Sequence, residues 1–170
     1  MRFTALTLPA METPVLVPVK ATDFDDMVAL RIEALRESLE RLGRYDPTRA
    51  RERLADGFAP QYMHHIEVNE ERVGFVTLRP DECTEPPSLR LHHLYIRPGV
   101  QSKGTGAWVL DWAKAEATKV GCDITLSALK LSDANRFYRG HGFVEIGQSD
   151  FDVDYRWSVL RASVLLVDAQ

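Results

Sequence analysis

The chain is poor in the features that would tie it to a metal, a disulfide or a membrane. Only two of its 170 residues are cysteines, Cys83 and Cys122. Their separation matches no metal-ligand spacing, so they read as free thiols in a reducing compartment, and no metal is expected. No apolar run approaches the ~20 residues that a membrane span needs. The opening stretch, MRFTALTLPAMETPVLV, has one early arginine and no continuous apolar core leading to a cleavage site. No secretory leader is expected from it, and the expected location is cytoplasmic. Long basic blocks are also missing. With 21 Lys and Arg against 25 Asp and Glu, the formal net charge is −4, which argues against nucleic acid as a partner and mildly suits a cationic one such as an amine. Internal repeats, linkers and low-complexity tracts are absent as well.

What remains is the composition of one globular domain, 45% apolar and 27% charged, long enough to bury a real core. We divide it into an N-terminal arm (1–13), a single domain (14–161) and a C-terminal tail (162–170). Pro14–Lys20 is β-branched and apolar, a first strand with Pro18 at an edge or end. Thr22 to Asp25 suggests a capping box, and Val28, Ile32, Leu35, Leu39 and Leu42 follow at helical spacing until Gly43. A second, shorter helix is expected over Thr48–Phe58. Met63–Val68 and Arg72–Leu78 read as a hairpin, Asp81–Pro87 as a loop and Leu89–Ile96 as the next strand. A long helix follows over 104–120, with Trp108, Leu110, Trp112, Ala113 and Ala115 on its buried face and Asp111, Lys114 and Thr118 on its wet one. Ile124–Leu126 is a strand, Asp133–Arg139 a short helix, and Phe143–Ile146 and Val153–Leu160 a final strand pair. The order β-α-α-β-β-β-α-β-α-β-β predicts an α/β (α+β) domain, a mixed sheet with helices on its faces.

The most constrained stretch is Ser88–Val120, where an apolar strand enters a short glycine loop that opens straight into the long helix. A helix start presents unpaired N–H groups and partial positive charge, both suited to a pyrophosphate. Gly104 and Gly106 leave the main chain open to phosphate oxygens, and Lys103 adds a cation. The spacing is not GxxxxGK[ST], and the third glycine of the dinucleotide fingerprint is missing. A plain strand-to-helix turn, with glycines for steric reasons, is the alternative.

Two blocks resemble the GNAT superfamily of N-acyltransferases. The first is Leu94-Tyr95-Ile96-Arg97-Pro98-Gly99-Val100-Gln101-Ser102-Lys103-Gly104-Thr105-Gly106-Ala107, similar to the family's Gln/Arg-x-x-Gly-x-Gly/Ala loop. The second is Ala134-Asn135-Arg136-Phe137-Tyr138-Arg139-Gly140-His141-Gly142-Phe143, similar to its Phe-Tyr-x-x-x-Gly-Phe helix end. The resemblance implies a mostly antiparallel sheet of about seven strands with about four helices, splayed between strands four and five.

Further implications follow from that resemblance. Acetyl-CoA would be the co-substrate, bound by the main chain of Leu94 and Ile96 and by Gln101, Ser102, Lys103, Gly104, Thr105, Gly106 and Ala107. Tyr138 would give a proton or hydrogen bond to the leaving sulfur, which a phenol of pKa ~10 can do at neutral pH. Where the family often has an asparagine for the pantetheine arm, Leu131 and Ser132 stand instead, leaving Asn135 or Ser132 as the polar candidates. His92, two residues before Leu94, would line the acceptor site and accept the amine proton, unless a water chain does so. Strand alternation puts His92 and His93 on opposite faces, with His93 a core histidine. Glu33, Arg36, Glu37, Tyr45, Asp152 and Asp154 are candidates for acceptor selection.

The expected reaction is direct transfer of an acetyl group to a primary amine of a small molecule or peptide. An O-acyltransferase, another acyl-CoA donor, or a non-catalytic acyl-CoA-binding domain are the alternatives. A homodimer is compatible with the resemblance, with the apolar segment Ala162–Val167 as a candidate seam.

Overall fold

The computed structural model describes residues 13–160 apart from Ser102. Most of the N-terminal arm, the C-terminal tail with its candidate seam, and the Ser102 contact lie outside the described residues.

The chain starts at a sheet edge. β1 (Val15–Pro18) carries Pro18, whose missing N–H an edge tolerates, and pairs antiparallel with β2 (Met63–Val68). A short turn, Ala21–Asp23, leads into α1 (Phe24–Arg41). The capping differs from the expectation. It is Asp23 that reaches back, its Oδ2 accepting from the Lys20 N–H at 2.9 Å. The same carboxylate accepts from His65 Nε2 at 3.0 Å and from Arg72 Nη1 at 3.2 Å. Asp23 therefore ties the start of α1 to β2 and to β3 (Glu71–Asp81). α2 (Pro47–Asp56) begins one residue earlier than expected, because proline at N1 loses no helical bond and Asp46 caps the Arg49 N–H at 3.1 Å.

The Asp23 clamp has a pH signature. Hydrogen bonding to His65, then to the Lys20 amide and Arg72, holds the carboxyl well below the usual carboxylate range, against the opposing effect of burial. A depressed folded-state pKa means that the stabilisation is complete above the unfolded value of ~3.9 and is lost as pH falls below it. Asp23→Asn is expected to lower Tm at pH 7 by about 2–4 °C. The gap to the wild type should shrink as thermal melts are taken down from pH 4 toward pH 2; a gap independent of pH would refute the clamp.

β2 and β3 form a hairpin through a two-residue turn in which Asn69 (φ 52°) and Glu70 (φ 64°) are both left-handed, the backbone of a type I′ turn. β4 (Ser88–Ile96), α3 (Thr105–Val120), β5 (Asp123–Leu129), α4 (Ala134–Gly140), β6 (Val144–Gln148) and β7 (Asp152–Trp157) complete the chain. The seven-stranded sheet has the order β1-β2-β3-β4-β5-β7-β6. Every neighbouring pair is antiparallel except β4–β5, which is parallel.

Each face of the sheet has its own core. Met27, Val28 and Leu30 of α1 and Leu54 of α2 pack with Met63 and Phe75 on one face. Val109, Leu110, Ala113 and Ala117 of α3 and Tyr138 of α4 pack with Val76, Leu91 and Leu126 on the other. Two helix faces differ from the sequence expectation. In α1 the buried residues are Met27, Val28, Leu30 and Arg31, whereas Leu35 and Leu39 are only half-buried. In α3 Val109 and Ala117 are buried, Ala115 is exposed, and the half-buried Lys114 donates to the His141 carbonyl at 2.7 Å. Cys83 and Cys122 are both free. Among the described residues no helix is long and apolar enough to cross a membrane.

Candidate active site

The site begins with a failure of strand pairing. β4 and β5 are in register only over Ser88–Arg90 against Asp123–Thr125, and beyond that they diverge. On its other edge β4 stays paired with β3 as far as Ile96. The Arg97 N–H donates to Val73 O of β3 at 2.8 Å. Alternation along an antiparallel strand then turns the N–H and C=O groups of Leu94 and Ile96 away from β3, into the gap. The Ile96 carbonyl is reached there by Gln101 Nε2 at 2.7 Å.

A second irregularity sits at His92. Thr77 pairs with His93 and Leu78 with Leu91, so His92 is an extra residue, a β-bulge. The bulge overturns the expectation that the two histidines face opposite ways, because their rings lie side by side with centroids 5.4 Å apart. Their environments still differ. His93 is buried against Phe75 and Tyr95, and its Nδ1 is 2.9 Å from Thr77 Oγ1. Burial, then the charges of His92, Arg31 and Arg79, lowers its pKa to about 3, so it is neutral across the ordinary range. His92 reaches a cavity edge, and burial, followed by Arg79 and Arg90, pulls its pKa below the ordinary histidine value.

Two cavities meet in the gap between β4 and β5. The one on the α3/α4 side, of about 440 Å³, is walled by Leu94, Ile96, Gln101, Gly104, Gly106, Ala107 and Tyr138 among others. The one on the α1 side, of about 310 Å³, is lined by His92, Tyr95, Ser127 and Asp152, and by Arg31, Leu35 and Leu39 of α1. Leu94, Ile96, Gln101 and Tyr138 belong to both walls. Tyr138 is thus at the junction. It is 8% exposed, its ring is held by Phe137, Phe143 and Tyr155, and its hydroxyl makes no hydrogen bond to a described residue. Burial, with a smaller contribution from Tyr95, raises its pKa further above that of free phenol, so it keeps its proton.

The glycines of the loop have structural reasons of their own. Gly104 caps α3 with φ 84°, a left-handed conformation. A Cβ on Gly106 would come within 3.1 Å of Phe137 Cζ and 3.6 Å of Ile96 Cδ1. Gly106 lets α3 seat against the ring that precedes Tyr138, so the loop and α4 fit together as one unit. Lys103 is exposed, Thr105 is buried, and neither lines the cavity.

Asn135 is placed beside the site but is engaged within the fold. Its Nδ2 donates to the Leu129 and Ser132 carbonyls at 2.8 and 3.0 Å, and its Oδ1 accepts from Tyr155 OH at 2.9 Å. It anchors α4 to β5 and β7, with both of its amide hydrogens used within the fold. Leu131, where the family asparagine was missing, is 75% exposed with φ 63°. Asparagine tolerates that conformation far better than leucine.

Of the candidates for acceptor selection, Glu33, Glu37 and Asp152 line the α1-side cavity. Arg36 is paired with Glu40 and stacked on Tyr45, and Asp154 accepts from Ser127. The residue missed is Arg31. It stands at helical spacing from Met27 and Val28, inside the apolar face of α1, and is buried. A charge interrupting a core stripe was the available signal.

A strand pair that splits around a buried tyrosine, beside a glycine loop opening a helix, defines the acyltransferase architecture expected from the two sequence blocks. The sequence model of the acetyltransferase (GNAT) domain matches residues 60–145, and the chain belongs to that family. No curated protein matches the chain by sequence. Among solved structures, PH1933 from Pyrococcus horikoshii OT3 superposes with a TM-score of 0.70 at 19% identity, covering 86% of this chain and 98% of its own. The PaiA N-acetyltransferase from Thermoplasma acidophilum, solved in complex with coenzyme A, gives 0.69 at 14% identity, covering 86% and 99%. A histone acetyltransferase HPA2 and related acetyltransferase from Corynebacterium glutamicum gives 0.64 at 21% identity, covering 86% and 96%. At these identities the likeness carries the fold.

Proposed function

We propose that the protein is an acetyl-CoA-dependent N-acetyltransferase that acetylates a primary amine of a small molecule or peptide by direct attack. The observation that carries this reading is Tyr138, a buried ring whose hydroxyl has no hydrogen-bond partner among the described residues, at the place where the two cavities meet. A donor entering from the α3/α4 side and an acceptor from the α1 side would come together there. The coenzyme A complex of the Thermoplasma relative supports the choice of donor.

The chain offers matching groups for a thioester donor. The backbone of Leu94 and the Ile96 N–H, which face the gap, can take a pantetheine arm as a partial strand, and a main-chain N–H there can stabilise charge on the acyl oxygen. The start of α3 at Gly104–Ala107 offers unpaired N–H groups to a pyrophosphate, with the exposed Lys103 as a nearby cation at the rim. When bound, the donor supplies an activated acyl carbon: a C–N bond to the amine forms, the C–S bond breaks, and coenzyme A leaves as a thiolate. Tyr138 is positioned to give that sulfur its proton, and the ammonium proton of the acceptor goes to His92, neutral at pH 7 because of its surroundings. Net transfer releases the acetylated amine, the thiol and one proton: the ammonium proton passes from His92 to solvent before attack, and the second N–H proton, shed as the amide forms, is taken up in turn by His92 and returned through solvent to Tyr138.

Thermal shift with coenzyme A, acetyl-CoA and ATP tests the donor, since a ligand of the folded state raises Tm by mass action. A shift with ATP and none with coenzyme A would overturn the reading. Thiol release against an amine panel then finds the acceptor. Because the His92 pKa lies below the usual ~6.5, kcat/KM should hold as pH falls to 6.5 and decline only in more acidic solution. His92→Gln should lower kcat/KM by about 10–100-fold and abolish that acid limb. If the limb persists unchanged in the variant, His92 is not the proton acceptor.

A further inference from the structure

Arg31 is the one residue of the α1 core face that carries a charge. It is 7% exposed. Nη1 donates to the Ala50 carbonyl of α2 at 2.8 Å, and the guanidinium carbon lies 5.6 Å from the centroid of the Tyr95 ring. Its Nε is buried with no hydrogen-bond partner, and no carboxylate among the described residues pairs with it. A guanidinium does not shed its proton in a protein, so this is a standing buried charge without a counter-ion among the described residues.

The surroundings strengthen the imbalance. Arg31, Arg44, Arg49 and Arg53 line a cavity of about 290 Å³ between α1, α2 and the end of β5, with Asp46 as its single carboxylate among the described residues. Asp46 is already engaged as the cap of α2. Arg31, Leu39, Arg53 and Leu129 also line the α1-side cavity that reaches His92 and Tyr138, so the two spaces adjoin.

We propose that the acceptor carries a carboxylate, and that Arg31, assisted by Arg53, holds it while the amine points toward His92 and Tyr138. This names the substrate class of the N-acetyltransferase reading and rests on it. It also reverses the suggestion of the overall charge, since the acceptor becomes an amino acid or another amine-bearing acid. A planar carboxylate matches the fork of one guanidinium. A phosphate dianion would need a second buried cation, yet Arg49 and Arg53 are exposed and Arg44 is stacked 3.6 Å over the Phe151 ring.

The test follows thiol release from acetyl-CoA by the full chain, with the common α-amino acids, their C-terminal primary amides, and phosphoethanolamine as acceptors. The best free acid should exceed its own amide in kcat/KM by at least ~30-fold, as for loss of a charge-assisted bond in a buried site. Arg31→Met should lower kcat/KM for that acid by about 10–100-fold, change that of its amide less than threefold, and leave the thermal shift by coenzyme A intact. Arg53→Gln, at an exposed position, should lower the acid's value by a smaller factor and stands in if the Met variant does not fold. Equal use of acids and amides, or equal losses for both in the variants, overturns the proposal. Preference for phosphoethanolamine over every acid overturns it in favour of phosphate. If coenzyme A gives no shift, the acyltransferase reading fails separately. Calorimetry with the free acids then decides the Arg31 site, and absence of binding to the wild type refutes it.

Discussion

Tyr138→Phe should reduce kcat by about 10²–10³-fold while the Kd for acetyl-CoA changes less than twofold. The substitution removes one oxygen and keeps the ring, which packs against Phe137, Phe143 and Tyr155. The hydroxyl holds no protein partner among the described residues, so its loss strands no buried group and stability should be preserved. In the proposed mechanism, what is removed is the proton offered to the departing thiolate. The raised pKa keeps the phenol protonated through neutral pH, so in the proposed mechanism it has a proton or hydrogen bond to offer the departing sulfur. Pre-steady-state thiol release, together with equilibrium titration of acetyl-CoA, separates the two quantities. Unchanged turnover in the variant would remove Tyr138 from the chemistry.

The second large effect is structural in origin and functional in outcome. Gly74 of β3 pairs with Ile96 of β4. A Cβ on Gly74 would fall inside the van der Waals shell of the Tyr95 carbonyl oxygen and lie 3.2 Å from Ile96 Cα. Both obstacles are backbone, so a rotamer change cannot relieve them. Gly74→Ala is expected to push the end of β4 away from β3 and to lower Tm by about 4–12 °C. The same displacement moves Ile96, whose outer backbone edge faces the gap. Affinity for coenzyme A should therefore weaken by about 5–10-fold, the equivalent of one lost backbone bond. Differential scanning calorimetry and a coenzyme A titration on one preparation measure both. A variant that melts and binds like the wild type would show that the close approach is relaxed at little cost.

The element order could be read from the chain because short apolar runs bounded by turn residues mark β2 to β4, three-to-four spacing marks α1 and α3, and glycines stand at the helix ends. The glycine loop and the Phe137-Tyr138 pair were readable for a different reason. They are local sequence blocks, and Gly106 lies against the Phe137 ring, so the two blocks are joined by one contact. The period itself concealed the exceptions. Period-two reasoning assumes that no residue is inserted, and the bulge at His92 inserts one, bringing both histidine rings to one side. Arg31 was passed over because a charged residue on an amphipathic helix is usually placed in water. The capping box read from Thr22 to Asp25 gave no sign of the clamp that Asp23 makes, because its partners His65 and Arg72 come from strands 42 and 49 residues away. Asn135 looked like a ligand group because its hydrogen-bond partner on Tyr155 is remote in sequence.

The brevity of the β4–β5 ladder has a mechanical consequence. With register kept only from Ser88 to Arg90, the sheet is two half-sheets, β1 to β4 and β5 to β6, hinged at one end like an unclosed zip. A strand-like pantetheine arm lying in the opening would act as the missing teeth. Donor occupancy would then couple the motions of the halves, stiffening the wall against which the acceptor must align. Binding order would follow from elasticity: an acceptor arriving first would meet a wall that still yields, and one arriving second a wall already set.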